Sequence, residues 1–167
     1  MRSGALEALA SDRKGIAQRA GYTCAFLAKG YDTVAIDASV KMVEAARVLT
    51  DCSVLLMRFQ QIEWADEFDG IWACASLLHV LRTEMNDVFR RLIHALKPGG
   101  VWFMSFKRGA GEGVRKVRFF NVYREDDLRT LIYEHKQLTL LQLWTTKDLR
   151  IGREQEQWTN AVVRRQS

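Results

Sequence analysis

The side chains with the clearest chemical potential stand at the ends of short apolar runs. Asp37 closes Thr33-Val-Ala-Ile-Asp37. A carboxylate just past a strand can accept hydrogen bonds from both hydroxyls of a ribose; the plainer alternative is a surface-turn aspartate. Arg58, Phe59 and Gln60 close the next run, Val54-Leu-Leu-Met-Arg-Phe59. A ring there can stack on adenine and an amide can read its edge. Phe59 reads equally as core, and Gln60 as a solvated loop residue. Cys74, Ala75 and Ser76 end or follow Phe68-Asp-Gly-Ile-Trp-Ala-Cys-Ala75. Their small side chains suit close approach of a ligand, or tight packing against a helix. His79 can touch a substrate or orient a cofactor, although a lone histidine beside an apolar segment is more often packed or solvated. Ser105-Phe-Lys-Arg-Gly109, with Glu112, Arg115 and Arg118, is a polar stretch after a strand. It can face an anionic substrate or be a mobile charged loop. No residue declares itself as a catalytic acid, base or nucleophile.

The elements that would position these residues alternate. Cys24-Ala-Phe-Leu-Ala-Lys29-Gly30 reads as a helix end with glycine just beyond it. Residues 33–37, 54–59, 68–75 and 101–106 read as buried strands. Ser39 can cap a helix through Leu49 with its hydroxyl. Residues 87–96 have helical spacing in Val88, Leu92, Ile93 and Leu96. Pro98, the only proline, then stops the helix, and Gly99-Gly100 permits the reversal into Val101. A helix over 125–134 precedes two consecutive strands, 138–146 and 157–164, which Gly152 and its neighbours join as an antiparallel pair. Strands alternating with helices imply a parallel sheet covered on both faces.

Composition narrows the function classes. The chain has 167 residues, 48% hydrophobic and 27% charged, which suits one globular domain over 1–167. There is no run of about 18 apolar residues and no signal-peptide start. Cys24, Cys52 and Cys74 are odd in number, widely spaced and outside any C-x-x-C pair, which argues against a disulfide framework or zinc site. Three mostly buried thiols in a reducing cytoplasm are expected. The net charge is +5. Its basic residues are scattered except at Arg108, Arg115, Lys116 and Arg118, so they read as a solvated surface rather than a nucleic-acid footprint.

Four segments taken in order carry a family resemblance. Asp37-Ala-Ser-Val-Lys-Met42, Phe68-Asp-Gly-Ile-Trp72, Ser76-Leu-Leu-His-Val80 and Leu96-Lys-Pro-Gly-Gly-Val101 resemble motifs of the class I S-adenosylmethionine (SAM)-dependent methyltransferases. The likeness runs over roughly residues 23–164. It is strongest to the small bacterial methyltransferases grouped with tellurite-resistance proteins. It implies an α/β, Rossmann-like doubly wound sheet, mostly parallel, with an antiparallel C-terminal hairpin. It implies methyl transfer from SAM to a small molecule. Cofactor contacts would come from Asp37, Ala38 and Met42, from Arg58, Phe59 and Gln60, and from Cys74, Ala75, Ser76 and His79. Backbone groups of 74–76 would meet the methionine part.

One part departs from that family. Its first strand ends in a glycine-rich turn, where only glycine lets the backbone approach the cofactor without a Cβ clash. Counting back from Asp37 puts those glycines at Ile16, Gln18 and Ala20, and Gly15 and Gly21 do not restore the spacing. Ser11-Asp-Arg-Lys14 is no credible buried strand. Residues 5–20 read instead as a helix, with Leu6, Leu9 and Ile16 among alanines, so 1–22 is expected to be an atypical helical N-terminus. The first strand then has no convincing candidate. Three readings stay open: a coding sequence altered in this region, a catalytically inactive methyltransferase-like protein that binds a partner chain, or an irregular loop at 13–22 that keeps weak cofactor binding.

Overall fold

The structure is a computed structural model describing residues 14–17, 20–49, 53–115 and 117–167. The expectations for Leu6, Leu9, Ser11, Gln18, Cys52 and Lys116 fall outside those residues.

The parallel part of the sheet is built from β1 (Lys14–Ala17), β2 (Asp32–Asp37), β3 (Ser53–Leu56), β4 (Phe68–Cys74) and β5 (Leu96–Lys107). A final hairpin adds β8 (Leu138–Lys147) and β9 (Gln157–Arg165), after a separate two-stranded ribbon of β6 (Glu112–Arg115) and β7 (Arg118–Asn121). The seven-stranded order is β3-β2-β1-β4-β5-β9-β8. All pairs are parallel except β5–β9 and β9–β8. The expected mixed doubly wound sheet with an antiparallel C-terminal hairpin is therefore present.

The first strand corrects the sequence reading. Lys14–Ala17 is not helical: it lies between β2 and β4, with Ile16 opposite Val34 on one side and Ile71 on the other. The helix that follows begins only at Ala20. Helix propensity is a weak prior that tertiary context overrides. Here the context is strong, because two parallel neighbours each present a row of backbone donors and acceptors that must be paired. Asp69 secures the strand's start by accepting the Lys14 backbone N–H at 3.0 Å, and the Lys14 ammonium pairs with Glu67. Gly15 runs so close to β4 that a Cβ on it would stand 3.3 Å from the Gly70 carbonyl oxygen.

The alternation of side chains divides the sheet into two faces. On one, Ile16, Ile36, Ile71, Trp102 and Met104 join Phe89 and Leu92 of α3 (Arg82–Ala95) and Leu128 and Ile132 of α4 (Glu125–Tyr133) in the main core. Burial of α3 at Met85, Val88, Phe89, Leu92 and Ile93 follows its 3.6-residue period. On the other face α2 (Val40–Leu49) packs Val43 and Ala46 on Ala35 and Val54. There α1 (Ala20–Leu27) sets Phe26 against Tyr31 and Trp72. α1 ends in a Schellman motif: Gly30, at φ +83, donates to Leu27 and Tyr31 donates to Phe26.

Four further boundaries differ from expectation. α3 starts at Arg82 rather than at residue 87 and ends at Ala95, so Leu96 belongs to β5. The Lys97-Pro98-Gly99-Gly100 turn lies inside β5 rather than before it. Phe68 pairs with Leu96 and Gly70 with Val101, so four residues bulge opposite Asp69, which accepts from the Lys97 ammonium at 2.8 Å. β3 stops at Leu56, and Phe59 instead opens a short 3₁₀ turn, Phe59–Gln61. The polar stretch after β5 is not a plain loop: Glu112–Arg115 and Arg118–Asn121 pair as the β6–β7 ribbon.

Ile16 is 3% exposed within the main core. Ile16→Ala is expected to cost about 2–5 kcal/mol, read as a lower urea midpoint at an unchanged m-value. A cost below about 0.5 kcal/mol, the range of surface substitutions, would contradict a buried central β1.

Candidate functional site

Strand register brings Asp37 and Cys74 to one level of the sheet. Ala35, Ala17 and Trp72 are neighbours across β2, β1 and β4. Asp37 and Cys74 each lie two residues further on, and Leu56 pairs with Asp37 while Ser105 pairs with Cys74. This row is the carboxyl edge of the parallel strands, where ligands bind in open α/β sheets.

At the β2 end, the Asp37 carboxylate accepts the Ser39 backbone N–H on one oxygen at 2.8 Å. Among the described residues its other oxygen accepts no hydrogen bond and can serve a ligand. Ser39 begins α2 through its carbonyl, which accepts from Met42 and Val43; among the described residues its hydroxyl makes no capping bond. Ala38 and Met42 are exposed beside Asp37.

The next group is divided. Arg58 is exposed, and its backbone N–H donates to the Gln61 side chain. Phe59 points into the main core at 6% exposure, the alternative left open for it. Its ring is spent on packing. The Gln60 amide donates to Glu84 at the start of α3, at 2.9 Å.

At the β4 end, Cys74, Ala75 and Ser76 are half-buried. Ala75 has φ +52, a left-handed conformation unusual for a residue with a Cβ. Its N–H donates to the Ser105 hydroxyl at 2.9 Å. The Ser76 hydroxyl is shielded from solvent and has no partner among the described residues, a state that costs stability until something pairs with it. From α1, Tyr22 sets its ring at a tilt against Trp72, centroids 5.4 Å apart, and brings its phenol oxygen 3.5 Å from the Cys74 sulfur. Cys24 and Cys74 are both free thiols, only half-buried.

His79 is exposed, with Nδ1 2.8 Å from the Phe119 carbonyl oxygen and its ring 5.2 Å from that of Phe120. The ribbon thus folds back on the turn after β4. Arg82 anchors both its strands. Its backbone N–H donates to Glu112, its guanidinium to Asn121 and to the Val122 carbonyl, and it lies 4.6 Å from the centre of the Tyr123 ring. Beside the ribbon, Lys107 pairs with Glu156 at 2.6 Å under the rings of Phe120 and Trp158. The β8–β9 loop is closed by Asp148, which is buried and accepts from the Arg150 guanidinium and backbone and from Trp158 Nε1.

Tyr22, Glu84 and the pairing of Ser105 with Ala75 had no local signal, since the partners are tens of residues apart in the chain. No metal-ligating cluster occurs among the described residues, and no described helix is long and apolar enough to cross a membrane. An apolar pocket under α1, lined by Phe26, Tyr31, Thr33, Gly70 and Trp72, runs from the early part of the strands up to Trp72 and includes neither Asp37 nor the 74–76 turn.

Comparison with curated protein sequences gives no match. The methyltransferase-domain family matches residues 16–100. A SAM-dependent methyltransferase from Methanosarcina mazei superposes with a TM-score of 0.84 at 12% identity, over 99% of this chain and 98% of that one. The Burkholderia thailandensis 1,6-didemethyltoxoflavin-N1-methyltransferase, solved with 1,6-didemethyltoxoflavin and S-adenosylhomocysteine, gives 0.74 at 16% identity over 94% and 72%. The N-methyltransferase NodS from Bradyrhizobium japonicum, solved with S-adenosylhomocysteine, gives 0.71 at 16% identity over 97% and 84%. These structural likenesses establish the fold, that of the class I SAM-dependent methyltransferases.

The Arg150 guanidinium holds the Asp148 carboxyl well below the usual carboxylate range, with help from the Arg150 backbone and Trp158. A depressed carboxylate stabilises the fold above its unfolded pKa and loses that contribution as pH falls. Asp148→Asn is expected to lower the melting temperature at pH 7, and the gap to the parent should narrow below about pH 4. Thermal melts of both chains from neutral to acid pH check this; a pH-independent gap contradicts it.

Proposed function

The chain belongs to the methyltransferase-domain family, and from that membership we propose that it transfers a methyl group from SAM to a small molecule. The observation that carries this reading is the row at the carboxyl edge: Asp37, with a carboxylate oxygen available, in register with the small-residue turn Cys74-Ala75-Ser76. The residues present suit the cofactor at that edge. Asp37 would accept from the ribose hydroxyls, with Ala38 and Met42 beside it. Arg58 and Gln60 lie where the adenine end would be. The turn at 74–76 and its unpartnered hydroxyl would meet the methionine end, and His79 would stand at the acceptor side.

When bound, SAM supplies a sulfonium methyl open to in-line displacement. The protein's part is placement. Near-attack geometry can contribute about 7–11 kcal/mol, and an acceptor that is already anionic needs no dedicated base. No catalytic acid or base is therefore assigned. A small-molecule acceptor is supported by the Burkholderia relative, which was solved with its small-molecule ligand. We carry the tellurite-resistance-type subgroup, a single domain over 1–167 and a cytoplasmic setting as parts of the same proposal. Binding is expected to be weaker than in relatives with the glycine turn, because the sequence has no glycine at the three positions where the family's motif would fall.

Calorimetry with S-adenosylhomocysteine tests the reading. Micromolar binding is expected, and Asp37→Ala should weaken it about 10- to 100-fold, from about 1.5–3 kcal/mol for a hydrogen bond to a charged group. Absence of binding at millimolar ligand would sink the proposal and leave the non-catalytic interaction protein.

A further inference from the structure

We propose that Ser105 is a positioning residue that sets the Cys74-Ala75-Ser76 turn for the cofactor. The proposal rests on the SAM reading above and adds a residue that does not itself touch the ligand. Ser105 lies on β5 opposite Cys74 and is 2% exposed. Its hydroxyl accepts the Ala75 N–H at 2.9 Å and donates toward the Cys74 sulfur at 3.6 Å. The Cys74 thiol in turn lies 3.5 Å from the Tyr22 oxygen. A directed chain therefore runs from the Ala75 amide through Ser105 and Cys74 to α1, and each link polarises the next.

The backbone at Ala75 gives the chain a task. At φ +52 an alanine is strained, and such a conformation persists only where its surroundings over-determine it. The Ser105 hydroxyl is a specific restraint on that residue. It comes from a different strand, thirty residues along the chain. The peptide it holds joins Cys74 to Ala75, one residue before Ser76, whose hydroxyl has no partner among the described residues. If Ala75 relaxed toward a negative φ, the turn that sets the Ser76 hydroxyl and the 74–76 backbone at the edge of the sheet would rotate away. Packing alone needs no hydroxyl at 105; holding this turn does.

The test uses the full chain, with S-adenosylhomocysteine titrations, thermal melts and exchange of the Ala75 amide by NMR. Ser105→Ala should speed exchange of that amide at least about tenfold and weaken ligand binding by a similar factor. Ser105→Thr, which keeps the hydroxyl, should restore both. Ala75→Gly should melt at the parent temperature or above, because glycine relieves the positive φ, and yet bind more weakly because the turn is no longer confined. A merely structural Ser105 would not separate stability from affinity in this way. The proposal is overturned if exchange and affinity in Ser105→Ala stay within twofold of the parent, or if Ala75→Gly binds as well as the parent. If the parent chain binds no S-adenosylhomocysteine, the cofactor reading falls by itself. Amide exchange then still decides the latch: faster exchange in Ser105→Ala upholds it, and unchanged exchange refutes it.

Discussion

Everything at the carboxyl edge depends on the pairing of four residues, Lys14–Ala17, with strands on both sides. Parallel strands in the middle of a sheet expose unpaired N–H and C=O groups on both flanks if a neighbour is missing. That penalty exceeds the helix preference of an alanine-rich segment, which amounts to tenths of a kcal/mol per residue. Once β1 is seated, its register with β2 and β4 leaves no freedom in the relative height of Asp37 and Cys74. Ile16 adds a core contact, and the close passage of Gly15 by Gly70 makes the strand fit without a side chain on that face.

The rest of the sheet supports this edge from both faces. The main core, centred on Trp102 and Phe89, locks β5 and α3 together and so fixes where Ser105 stands. On the opposite face Tyr22, Trp72, Phe103 and Trp144 form a row of ring contacts across α1, β4, β5 and β8, with Trp72 and Phe103 stacked at 4.1 Å. α1 is tied in this way to the same strands that carry the site. Two hairpin systems then frame the mouth. The ribbon is held by Arg82 and His79, and the β8–β9 loop by Asp148, Arg150 and Glu156. Their charges are paired locally, so the basic excess near residues 107–118 is partly spent on structure.

Much of this was legible in the residues. The runs at 33–37, 68–75 and 101–106, the helical spacing from residue 87 onward and the final hairpin follow from period and punctuation, which are local properties, whereas the helix start at Arg82 and the place of Leu96 in β5 do not. So does the placing of Asp37 after a strand. The family motifs from Asp37 to Val101 carried the fold class. By contrast, Phe59 could be assigned to core or ligand only by seeing which way its turn faces. The Pro98 turn looked like a helix stop and is instead a bulge within β5, because pairing with β4 resumes on both sides of it.

Local residue order is enough for the alternating α/β pattern, the carboxylate at position 37 and the small residues at 74–76, since each is written within a few neighbouring positions. Contacts made on folding, by contrast, set Lys14–Ala17 as a central strand, Glu112–Arg115 and Arg118–Asn121 as a ribbon latched to His79, and Ser105 against Ala75. Each of those outcomes pairs groups distant in sequence, Lys14 with Asp69, His79 with Phe119 and Ala75 with Ser105. The energy that selects them exists only after the chain has closed on itself, so no local pattern can announce it.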